Sequence, residues 1–240
     1  MSAASSPAPG GPACEHCLVP NKVAAVAAGS MGELAGRACY VAKGSGSAAV
    51  VVITDVFGHS FVNCQAVADA IALASGATVF VPDVLEGDAI PPDGFDRATF
   101  PAWRERHTDA AVVPLAQAAV AALRAKGFSR IGSIGYCFGA RHSVLLARAN
   151  LIDCYAVAHP SFTSTPDYAG LEQPALFLCA ETDQAFVLVA ARNLVRVRAR
   201  RETGSPPATP PRLPLPDRAT TPLSQARDRR RGQGGARRPR

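Results

Sequence analysis

Residues 131–142 read IGSIGYCFGARH, and the fold turns on them. Ile131–Gly135 is a short apolar run, and a helical pattern opens at Phe138. Gly135 and Gly139 stand two places before and two places after Cys137. This is the spacing of a nucleophile elbow, with sulfur where a serine hydroxyl is the commoner choice. Such a turn holds its central residue in a strained backbone, and flanking glycines avoid clashes with neighbouring elements. The N–H of Phe138 then lies where it can stabilise an oxyanion. The start of the helix also favours thiolate over thiol at Cys137.

Working outward, similar apolar runs occur at Arg37–Ala42, Ala48–Thr54, Thr78–Pro82, Cys154–Ala158 and Ala175–Cys179. Their hydrophobicity is continuous rather than alternating, which marks strands buried on both faces, as in a parallel sheet. Helical patterns lie between them. Cys64–Ser75 sets Val67, Ile71 and Ala74 on one face. Trp103–Lys126 reads as a longer helical stretch interrupted near Pro114. Phe138–Asn150 offers Val144, Leu145 and Ala149 for packing. Alternation of strand and helix predicts a doubly wound α/β fold, with chemistry in the loops at the C-terminal strand ends. Asp55, Asp83, Cys137, His159 and Asp183 all fall there.

Two segments give the elbow its partners. Asp55-Val56-Phe57-Gly58-His59 ends one buried run and turns at Gly58, so the Val56 N–H is a second candidate oxyanion donor. Asp183 follows another run, in the chain order nucleophile then acid. VVVITDVFGH, VPDVLEGD, GYCFGA and AETDQAF, taken in this order, resemble the dienelactone hydrolase family from about residue 35 to 186. The resemblance implies an α/β-hydrolase-type, mostly parallel sheet and a Cys–His–Asp triad. It further implies hydrolysis of a small ester or lactone through a thioester on Cys137, with Asp183 orienting the base. Val56 and Phe138 would donate the oxyanion hydrogen bonds, and Asp55 would hold the resting thiol. No cofactor or metal is called for.

The family's base is a histidine some tens of residues after the acid, beyond one more strand. The five histidines here are 16, 59, 107, 142 and 159, so none follows Asp183. His159, in AVAHPSF, ends a strand on the catalytic edge and is the candidate substitute base or pocket residue. His59 is placed at the pocket entrance, and His107 and His142 on helices. The sheet is accordingly expected to lack its last strand and helix, leaving Ala175–Cys179 as an apolar edge. The activity of this form hinges on a base the sequence does not supply in the family's order. The alternative is a catalytically inactive relative or ligand-binding module, its tail arising from a frameshift or mis-splicing.

Composition divides the chain. From Val187 onward there are 14 arginines, no lysine, three acidic residues and no aromatic residue, whereas the residues before it hold 16 acidic and 11 basic side chains. The overall charge of +6 therefore describes the tail and not the acidic body. Residues 1–34 are expected to be loosely ordered and 35–186 to form the α/β domain. Residues 187–200 make a candidate helix, and 201–240 a disordered Arg/Pro-rich tail with too little apolar surface to offset chain entropy. Such a tail binds nucleic acid at most nonspecifically, since no aromatic is interleaved for stacking. Cys14-Glu15-His16-Cys17 is half of a zinc motif without its second pair. Seven scattered cysteines, no apolar leader and no run long enough to span a membrane predict a cytoplasmic protein. Arg97, Arg104 and Arg141 are candidates to meet a substrate carboxylate.

Overall fold

The computed structural model describes residues 23–24, 27–96 and 98–179. Cys14–Cys17, Arg97, Asp183 and the segments 187–200 and 201–240 lie outside the described residues.

Among the described residues, seven strands form one sheet: β1 (Ser30–Leu34), β2 (Arg37–Ala42), β3 (Ala48–Ile53), β4 (Thr78–Pro82), β5 (Arg130–Tyr136), β6 (Cys154–Ala158) and β7 (Ala175–Leu178). Their spatial order is β1-β2-β4-β3-β5-β6-β7. The first two pairings are antiparallel, and the five strands from β4 to β7 run parallel. The apolar runs of β3, β4, β5 and β6 thus became largely buried parallel strands, as a sheet covered on both faces requires. The run of β2 instead pairs antiparallel, and that of β7 alternates half-buried and exposed residues. The hairpin partner β1 had no strong apolar signature, and four of its five residues are exposed.

Five helices among the described residues accompany the sheet: α1 (Val62–Ser75), α2 (Phe100–Arg106), α3 (Asp109–Ala125), α4 (Phe138–Arg148) and the short α5 (Thr165–Tyr168). Strand alternation sorts side chains between two cores. Val51, Ile53, Ile131 and Val157 point into the larger one with Val112, Ala116 and Leu123 of α3 and Val144 and Ala147 of α4. Tyr40, Val52, Val79 and Val81 point into the smaller one, against Ala68 and Ala72 of α1.

Three helix expectations need correction. The break in the long helical stretch falls at His107–Thr108, between α2 and α3, and Pro114 sits inside an unbroken α3. One lost backbone hydrogen bond is tolerated there because the rest of the helix is locked onto the sheet by its apolar face. On α1 the buried positions are Ala68 and Ala72, while Val67 is exposed. Small side chains let the helix lie close to the strands, so alanine size decided the face. On α4, Ala140, Val144, Leu146 and Ala147 are buried, whereas Leu145 is half-buried and Ala149 exposed.

β7 has no further strand beside it among the described residues. Leu176 and Leu178 of this strand are 56% and 50% exposed.

Candidate active site

The turn from β5 into α4 has the geometry its glycines foretell. Cys137 adopts φ 49°, ψ −111°, outside both helical and extended regions. A Cβ on Gly135 would lie 2.5 Å from the Ala140 Cα. A Cβ on Gly139 would lie 2.2 Å from the Ile53 carbonyl oxygen. Neither glycine can be replaced without displacing backbone: at Gly135 the first turn of α4 folds back onto β5, and at Gly139 the end of β3 presses on the start of α4. The Cys137 N–H donates to the Ala158 carbonyl at 3.0 Å, and its own carbonyl accepts from the N–H groups of Ala140 at 3.2 Å and Ser161 at 3.1 Å. The sulfur stands 3.4 Å from the Ser161 hydroxyl, with the residue half-buried.

Beside the elbow, the loop after β3 carries Asp55 and Val56. Asp55 Oδ1 accepts the Phe57 N–H at 2.9 Å, and Gly58 turns the chain at φ 78°. Burial pushes the Asp55 carboxyl up to about 6, the Phe57 hydrogen bond opposing only part of this. Asp55 acts in turn on Cys64 of α1: burial chiefly, and the nearby negative charge, hold that thiol strongly protonated. Tyr136 is pushed up to about 12, mainly by burial. Val56 is buried, and its carbonyl accepts from Ile90, tying the loop to the segment after β4. Phe138, at the first position of α4, is buried with its ring edge-on to Trp103 at 5.2 Å.

The described histidines fall in different places. His159 follows β6 directly, is exposed, has φ 36°, and donates its N–H to Leu178 at 2.8 Å. Its ring lies 6.3 Å from that of Tyr136. His59 Nδ1 is 3.5 Å from Asp83 Oδ1, a pairing across the ends of adjacent strands that the sequence did not reveal. Asp83 is itself held by the N–H groups of Leu85 and Gly87. His107 is buried and stacked on Trp103, centroids 4.1 Å apart. His142 is buried behind the Phe138 ring, and burial lowers its titration to about 4. Its Nε2 lies 3.7 Å from Asp109 Oδ1.

The arginines are committed to structure. Arg141 forks onto both oxygens of Asp109 and also reaches Asp167 and the Phe162 carbonyl. Arg104 lies over the rings of Phe138 and Phe162, at 5.5 and 4.9 Å, and donates to the His107 carbonyl. Neither extends freely toward the elbow as a substrate-binding group would. Phe57 and Trp103 both pack into the core.

A groove of about 500 Å³ between α3 and α4 and a cavity of about 200 Å³ beside His107 both exclude the elbow residues. Among the described residues, no cluster of three or more His, Cys, Asp or Glu could hold a metal ion. No described helix is long and apolar enough to cross a membrane.

Similarities to known proteins agree with this architecture. The hydrolase pyvD of Aspergillus violaceofuscus is 30% identical over 139 residues, 58% of this chain and 56% of that protein. The hydrolase tropI of Talaromyces stipitatus is 32% identical, covering 57% of each chain. The carboxymethylenebutenolidase homolog of Mus musculus is 30% identical over 62% of this chain and 61% of its own length. The chain thus spans somewhat over half the length of these relatives. The crystal structure of a dienelactone hydrolase from Anabaena variabilis superposes with a TM-score of 0.53 at 11% identity, over 69% of this chain and 78% of that one. That likeness carries the α/β-hydrolase fold. Residues 37–201 match the sequence pattern of the dienelactone hydrolase family, and the chain belongs to that family.

Proposed function

We propose that this chain is an ester or lactone hydrolase domain whose nucleophile is Cys137, acting on a small molecule. The observation that carries the reading is the strained Cys137 backbone between two glycines that cannot accept a Cβ. Strain of this kind persists where it aims a side chain. The thiolate attacks the substrate carbonyl carbon, forming a C–S bond while the carbonyl electrons move onto oxygen. The N–H groups of Val56 and Phe138 receive that oxyanion. Collapse expels the alkoxide, which takes up a proton, and leaves a thioester. Water then attacks the thioester, loses a proton to a base and releases the acid and the thiolate.

Asp183 is the proposed acid and His159 the proposed substitute base, since it ends the strand next to the elbow. Asp55 is the proposed partner of the resting thiol. A second reading is a ligand-binding relative without turnover, favoured by the lack of any histidine after Asp183 in this sequence.

An activated aryl ester separates the two. We expect a stoichiometric burst with the acyl group mapped to Cys137 by mass spectrometry, and no burst in Cys137→Ala. His159→Ala should keep the burst and slow the following turnover about 100-fold or more. A burst without turnover in the parent chain identifies a nucleophile lacking a base. Ester binding without any Cys137 adduct overturns the enzyme reading.

A further inference from the structure

Ser161 lies in the loop after β6, two residues beyond His159, and this loop is held in an unusual shape. His159 and Phe162 both adopt left-handed backbone, at φ 36° and 59°, a region that non-glycine residues seldom occupy. Hydrogen bonds lock the segment from several sides. The His159 N–H donates to Leu178, and the Ser161 N–H donates to the Cys137 carbonyl. Arg141 Nη1 donates to the Phe162 carbonyl at 3.0 Å, while Asp109 and Asp167 fix that arginine. The product of this bracing is a hydroxyl 3.4 Å from the Cys137 sulfur, within hydrogen-bond reach for sulfur.

We propose that Ser161 is a positioning residue for Cys137, its O–H donating to the thiolate and thereby holding the sulfur ionised and aimed before attack. The inference rests on Cys137 being the nucleophile. A hydrogen bond to an ionised acceptor favours the charged form. The same contact limits rotation of the sulfur about the Cα–Cβ bond. Arg141 serves the site through this loop: it braces Phe162 rather than touching the thiol.

Other ionisable groups lie on the elements that flank the elbow and at the same strand ends. They are Asp55 and His59 after β3, Cys64 on α1, Asp83 after β4, Tyr136 on β5, His159 after β6, and Arg141 and His142 on α4. All are unchanged in a Ser161 variant, so a difference between variant and parent isolates the hydroxyl.

The test is the pH dependence of Cys137 alkylation by iodoacetamide on the full chain, with the modified cysteine identified by mass spectrometry. The parent midpoint is the reference, set jointly by the Asp55 carboxylate and the Ser161 hydroxyl. Ser161→Ala should raise it by about one pH unit, which is about tenfold slower alkylation below the midpoint. Ser161→Thr, which keeps the hydroxyl, should restore the parent value, and Ser161→Cys, a weaker donor, should fall between. Ala retains the N–H to the Cys137 carbonyl, so a merely structural role leaves the midpoint unmoved, and that result overturns the proposal. No Cys137 adduct at any pH, while other cysteines are alkylated, overturns the nucleophile reading itself.

Discussion

Asp55 shows how a single side chain exchanges stability for placement. Its folded titration at about 6 lies above the ordinary 3.8. Between those two values the folded chain binds more protons than the unfolded chain, so stability falls as pH rises from about 4 to 6 and stays lower above. Asp55→Asn keeps an acceptor for the Phe57 N–H and removes the cost of the buried charge. The variant should gain up to about 3 kcal/mol over the parent at pH 7.5 and little at pH 4. Chemical denaturation of both proteins at the two pH values measures this, and parallel behaviour would show that Asp55 titrates normally. The residue type at position 55 was legible from the sequence as a strand-end acid. Its action on Cys64 was not, because α1 reaches Asp55 only through the folding of the chain over the sheet.

At the scale of elements, the elbow is a contact between β3 and α4 as much as a local turn. Gly139 sits where the Ile53 carbonyl leaves no room, and both atoms belong to backbone. Gly139→Ala should therefore cost about 2–4 kcal/mol, seen as a lowered denaturation midpoint, since neither neighbour can rotate away. An unchanged midpoint would mean that the close approach relaxes easily. The GxCxG spacing disclosed this need in advance, because the motif encodes the crowding. Helix faces were less legible. Apolar periodicity favoured Val67 on α1, yet the sheet selected Ala68 and Ala72, whose small volume permits close packing. The break at His107–Thr108 is not legible in the sequence, because no proline or glycine marks it.

For the molecule as a whole, the open question is the flank of the sheet at β7. Leu176 and Leu178 present apolar surface on a strand whose far side is unpaired among the described residues, the type of edge that templates association between chains. Replacing both with threonine should reduce concentration-dependent light scattering while leaving the denaturation midpoint nearly unchanged, because exposed side chains contribute little to folding. Scattering that persists would place self-association elsewhere.

Sequence alone determined the layered α/β architecture, the strand leading into Cys137 and the glycines that let the chain turn there. Continuous apolar runs and glycine spacing are local properties, written in consecutive residues. Tertiary structure alone decided that Ser161 meets the thiol, that His59 pairs with Asp83 and that Arg141 braces a loop. Those partners follow separate strands or, for Arg141, sit on α4, and only the folded sheet with its helices sets them side by side.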